Sequence, residues 1–143
     1  MKPPAAPVAL SRAAFFSLAL LAACGSMSSP GGVADKFVDK YYVEADQAAA
    51  LPLADGVAAL RLKSELQLVG DSRRGIAQGT HAARVFYQRT RLSGEGASRE
   101  ADYALHIKPQ GTTGEIVRDA HLELAQQKDG TWRVTRFSET TPR

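Results

Sequence analysis

The chain has 143 residues, of which 18 are Lys or Arg, 15 Asp or Glu, three His and one Cys. One cysteine excludes an internal disulfide, and a formal charge of +3 with no basic run interleaved with aromatics argues against a nucleic-acid surface. The length suits one hydrophobic core, not two domains.

The N-terminus reads as an export signal. Lys2 and Arg12 are positive, no acid precedes Asp35, and residues 13–21 are apolar. That stretch is too short for a membrane span, which needs about 20 residues. Small Ala22 and Ala23 follow, and Leu21-Ala22-Ala23-Cys24 resembles the lipobox of bacterial lipoproteins. The resemblance implies a signal peptide over residues 1–23, acylation of Cys24 and attachment to a bacterial membrane. Each buried methylene of an acyl chain contributes about 0.8 kcal/mol, so two or more chains hold a protein durably. Gly25, where inner-membrane retention would place Asp, resembles the outer-membrane sorting pattern, which in a Gram-negative host gives a domain facing the periplasm. Residues 24–32, rich in Ser, Gly and Pro, are expected to be a flexible lipidated tether. Loss of Lys2 and Arg12 lowers the basic count from 18 to 16 against 15 acids, so the basic whole-chain charge says little about partners.

One domain is expected over residues 33–143. Val33, Ala34, Phe37, Val38, Tyr41, Ala45 and Ala48 recur at helical spacing, predicting an amphipathic helix over 33–50 that Pro52 ends. A second stripe, Val57, Ala59, Leu62, Leu66 and Val69, predicts a helix over 53–69 capped by Gly70. Residues 70–80, with Arg73 and Arg74, read as a loop, and His81 stands at its exit.

The pattern then alternates, predicting strands over 84–92, 99–108, 115–126 and 131–138. Gly-containing connections favour an antiparallel meander, because parallel pairing needs crossovers of a dozen or more residues. Charge matching suggests Leu92 opposite Arg99, Arg91 opposite Glu100 and Arg89 opposite Asp102. In the second hairpin, Lys108 opposite Glu115 puts Tyr103, Leu105 and Ile107 on one face with Ile116, Ala120 and Leu122, and sets Asp102 against His121 on the other. A three-residue final loop with Gly130 in a left-handed bulge places Trp132 and Val134 beside Leu124.

Two N-terminal helices, a loop and a meander ending in Asp129-Gly130-Thr131-Trp132-Arg133-Val134-Thr135-Arg136-Phe137 resemble the NTF2-like superfamily over residues 33–138. The expected class is therefore α+β, a helical pair on a curved four-stranded antiparallel sheet. The resemblance implies a cone-shaped sheet enclosing a pocket, and it leaves function open, since the superfamily includes enzymes, binding modules and assembly subunits.

With the registers above, Gln88, Thr90, Tyr103, Arg118 and Arg136 are the polar residues on the expected pocket side, and Arg118 most needs a partner. Asp46 or Glu65, the pocket rim or a ligand anion would serve. Asp102, Asp119 and His121 are the catalytic candidates, but Asp102 and His121 fall on the charged face as a surface pair, and His106 is isolated. No spacing of His, Asp, Glu or Cys suits a metal, Gly94-Glu95-Gly96 sits in a hairpin and not before a helix, and no cofactor is expected.

Three readings follow. The first is a non-catalytic module of the cell envelope, lipid-anchored through Cys24, that binds another envelope protein or a small apolar or anionic ligand. The second is a small cofactor-independent lyase or isomerase, which needs Asp102 or Asp119 turned inward. The third is a homodimer that self-associates through Val85, Tyr87, Val117 and Phe137 on the outer sheet face.

Overall fold

The computed structural model describes residues 28–72 and 83–142, without the side chains of residues 71 and 72. The lipobox, Cys24, most of the loop after residue 70 and His81 lie outside the described residues.

Helix α1 (Pro30–Val38) begins earlier than the spacing predicts. Ser29 caps it by accepting from Gly32 N at 3.1 Å, and Pro30 occupies the first turn, where its missing N–H costs nothing. Residues 30–32, expected in the tether, therefore belong to the domain. The helix runs into a π-helical turn (Asp39–Val43) and stops at Ala45, whose φ is 52°. Asp46 then caps a short α2 (Gln47–Ala50) by accepting from Ala49 N. The single helix expected over 33–50 is thus two pieces. Pro52 lies within a 3-10 turn (Leu51–Leu53), and α3 (Gly56–Ser72) continues past Gly70.

Strands β1 (Arg84–Ser93), β2 (Ser98–Lys108), β3 (Ile116–Gln126) and β4 (Trp132–Thr140) form an open antiparallel sheet in the order β1-β2-β3-β4. The class is α+β. The β2–β3 register is the expected one, with Asp102 opposite His121 and Tyr103 opposite Ala120. The last hairpin also follows expectation. Gly130 has φ 83°, Gln127 N bonds Thr131 O at 2.7 Å, and Trp132, Val134 and Leu124 are buried together.

The edge strands depart from simple alternation. Next to the first turn Leu92 faces Ala101 and Arg91 faces Asp102, two residues from the expected Leu92–Arg99 pairing, and the register of β1 then shifts between Arg91 and Arg89, with Thr90 as the extra residue. That of β4 shifts between Arg136 and Val134, with Thr135 extra. Each bulged threonine donates its hydroxyl across the step, Thr90 to Asp102 O at 3.1 Å and Thr135 to Glu123 O at 3.2 Å. The bulges correct several expectations. Val85 and Tyr87 are half-buried on the helix-facing side and Phe137 is 5% exposed, whereas Phe86 is exposed. Of the four residues expected on the outer face, only Val117 is exposed.

The core fills the space between helices and sheet. Val33, Ala34, Phe37 and Val38 of α1, with Ala58 and Leu62 of α3, meet Tyr103, Leu105, Leu122, Leu124, Val134 and Phe137. Helix α1 touches all four strands, while α3 packs on β4. Phe37, Tyr41 and Phe137 stack with centroids 4.8–5.7 Å apart, and the Arg61 guanidinium covers Phe137 at 4.2 Å. Among the described residues, no helix is long and apolar enough to cross a membrane.

Candidate functional site

The five expected pocket residues do not converge. Tyr103 points into the domain, where its hydroxyl donates to Asp35 Oδ1 at 2.7 Å. Arg89 Nη1 reaches both oxygens of the same carboxylate at 3.1 Å, and the Tyr87 hydroxyl donates to Asp35 O at 3.4 Å. Burial, reinforced by the carboxylate, pushes the Tyr103 hydroxyl far above its ordinary pKa and keeps it a donor. This cluster ties α1 to β1 and β2.

Of the other four, Arg118 keeps the expected face, opposite Leu105, and three do not. Gln88 and Arg136 are on the outer face because the bulges invert their parity, and Thr90 is itself a bulged residue. Arg118 is half-buried and donates from Nη1 to Thr141 Oγ1 at 2.8 Å. The carboxylates suggested as its partners are engaged: Asp46 caps α2, and Glu65 accepts from Tyr41 and Arg61 at about 3 Å.

The outer face instead assembles a row across all four strands. The pairings Arg91–Asp102, Asp102–His121 and His121–Ser138 are directly opposite one another, so the four side chains share one face. Asp102 Oδ1 lies 2.6 Å from His121 Nδ1, and Oδ2 accepts from Arg91 Nε at 2.6 Å. Arg91 Nη2 stands 3.8 Å from Glu100. Partial burial works to raise the Asp102 pKa, but the hydrogen bonds from His121 and Arg91 outweigh it and hold the carboxyl below its usual range. With an anionic acceptor on Nδ1, that nitrogen is the donor and His121 Nε2 is left as the acceptor or second donor.

Thr90, Asp102, Asp119, His121, Ser138 and Thr140 border a hollow of about 340 Å³ on this face. Its chemistry is that of hydroxyls, carboxylates and one imidazole. Such a lining can hydrogen-bond a polar ligand or accept a proton. It is open to solvent: the His121 side chain is 39% exposed and that of Asp102 29%. Among the described residues, no group of three or more His, Cys, Asp or Glu could hold a metal ion.

Spacing alone shows the Asp102–His121 pair, and charge matching names Arg91 as a cross-strand partner, though of Glu100. The Asp35–Arg89–Tyr103 cluster is not visible from spacing, because strict alternation puts Arg89 outside and the helical stripe puts Asp35 on its polar side. The available signal is that Val85, Tyr87 and Leu92 can share one face only if β1 carries an extra residue. No family model matches the chain, and neither does any curated protein or solved structure.

Proposed function

We propose that this chain is a lipoprotein of the bacterial envelope, anchored through Cys24, whose NTF2-like domain is a non-catalytic binding or assembly module. What supports the module reading is one observation: Asp35, Arg89 and Tyr103 satisfy one another between helix and sheet, while Asp102, His121 and the hydroxyls beside them are accessible on the outer face. There Arg91, Asp102, His121 and Ser138 offer a polar docking row. A partner with hydrogen-bond donors, such as a basic segment of another envelope protein, suits Asp102, Asp119 and the hydroxyls beside them. The Leu21-Ala22-Ala23-Cys24 motif supports the anchor, and Gly25 supports outer-membrane sorting in a Gram-negative host.

A second reading, proton-transfer catalysis by His121 oriented by Asp102, has the 2.6 Å contact in its favour. Its weakness is solvent access, which leaves both groups partly hydrated.

Two measurements test the proposal. Cys24→Ser should move the protein from the membrane to the soluble fraction, and retention on the membrane would remove the anchor. The intact lipoprotein, extracted in mild detergent and weighed by native mass spectrometry, should carry a partner or adduct that Asp102→Asn and His121→Ala weaken. A bare monomer under gentle conditions would count against a binding module.

A further inference from the structure

Building on the lipoprotein reading, we propose that the end of the sheet carrying residues 94–97 and 127–131 faces the membrane and rests against the lipid headgroup layer. The tether is short beside the sheet. Cys24 and Ser29, the cap of α1, are five residues apart. At full extension this chain spans about 18 Å. Strand β2 has 11 residues, and a strand of that length runs about 34 Å. The tether is therefore about half as long as the sheet is tall.

The first turn of α1 sits at one end of that sheet. Gly31 packs so closely on β1 that a Cβ there would lie 2.5 Å from Arg89 Nη1 and 3.4 Å from Leu92 Cδ2. Leu92 is next to the last residue of β1, so the antiparallel order puts the β1–β2 and β3–β4 turns at this end and the β2–β3 turn at the other. Gln126 N donates to Ala97 O at 2.8 Å, binding the two near turns into one surface. Arg99 stiffens it, with Nη1 donating to Gly96 O and Ser98 O and its guanidinium over the Trp132 ring at 5.4 Å. Leu92, beside Gly31 and 41% exposed, puts an apolar side chain at this end, where it can meet the boundary between headgroups and acyl chains.

The test uses the full acylated protein in vesicles of phosphatidylethanolamine and phosphatidylglycerol with a nitroxide on a fraction of the headgroups. A fluorophore is placed on one introduced thiol at a time: Glu95→Cys and Asp129→Cys at the near end, Gln110→Cys at the far end and Leu60→Cys on the exposed side of α3. Quenching at positions 95 and 129 should exceed that at 110 and 60 several-fold. Strongest quenching at 60 would mean side-on docking and would overturn the proposal, as would equal quenching at all four. The mass of the N-terminal peptide separates the two levels of failure. If it carries no acyl chains, the lipoprotein reading falls and this orientation with it; if it is acylated and quenching is uniform, only the orientation falls.

Discussion

The Tyr103 hydroxyl donates to Asp35 at 2.7 Å, joining the second strand to the first helix across the buried face of the sheet. Tyr103→Phe keeps the ring and removes the donor, while Asp35 keeps Arg89. The expected loss is about 1 to 2 kcal/mol, the range for a hydrogen bond to a charged acceptor. Asp35→Ala should cost more, about 3 kcal/mol, because it leaves the buried hydroxyl without an acceptor and Arg89 unpaired. Urea unfolding of the two variants gives the comparison, and equal losses would mean that the hydroxyl is not buried in solution.

Phe137 and Arg136 form a second pair of opposites. Because Thr135 is the extra residue in β4, Phe137 stacks on Phe37 and Tyr41 while Arg136 is exposed, 3.4 Å from Glu123. Phe137→Ala should destabilise by about 3 to 5 kcal/mol. Arg136→Ala should change stability by less than about 1 kcal/mol, the range of an exposed ion pair. Thermal unfolding that ranked the two the other way round would show that β4 keeps strict alternation.

Acid should weaken the row on the outer face. The Asp102 carboxyl is held below its usual value of 3.8, so its contribution is fully present above that value and is lost as pH falls through the lower folded value. Asp102→Asn should therefore flatten the decline in stability below about pH 4 while leaving the shape of the curve at neutral pH unchanged. Denaturation midpoints taken between pH 2 and 7 decide it. A parallel decline in the variant would place the acid-sensitive group elsewhere.

Alkali acts on a different residue. Burial, and then the hydrogen bond to Glu65, push the Tyr41 hydroxyl up to about 12 from its ordinary 10. A raised folded value favours the protonated ring, so this contribution is complete below pH 10 and is lost as pH rises through about 12. Ultraviolet titration of wild type against Tyr41→Phe should show the missing phenolate appearing about two units above an ordinary tyrosine, or together with unfolding. A transition near pH 10 would mean that the contact with Glu65 opens in solution.

The central strands were legible because their patterns are unbroken. Ala101, Tyr103 and Leu105 on β2, with Ala120, Leu122 and Leu124 on β3, alternate without interruption, which sets both register and face. The edges were harder to read because one extra residue reverses every later side chain. Residues 84–93 carry two apolar residues at odd positions, Val85 and Tyr87, and two at even positions, Phe86 and Leu92. Alternation cannot choose between these sets, and the bulge at Thr90 takes from both. In β4 the three-residue step from Val134 to Phe137 does announce the bulge, since two apolar residues that far apart share a face only across an extra residue. The helix start was hidden by composition, because Ser-Pro-Gly-Gly reads as linker until Ser29 is seen as a cap and Gly31 as the close contact with β1.

If the proposed lipid anchor holds this chain at a membrane, the two bulges have a consequence for crowding there. An open sheet exposes two borders to which another copy could add a strand, and a two-dimensional layer of anchored molecules brings such borders together often. Here each is interrupted within its span, at Thr90 on one side and Thr135 on the other, and the threonine hydroxyl bonds inward to the neighbouring strand. Arginines at 84, 89 and 91 add charge along the first border. On the other, Asp55 N already occupies Val134 O at 2.8 Å. Neither border offers a long straight template, so the same steps that turn Phe137 and Tyr87 toward the core also keep neighbouring copies from fusing into a shared sheet.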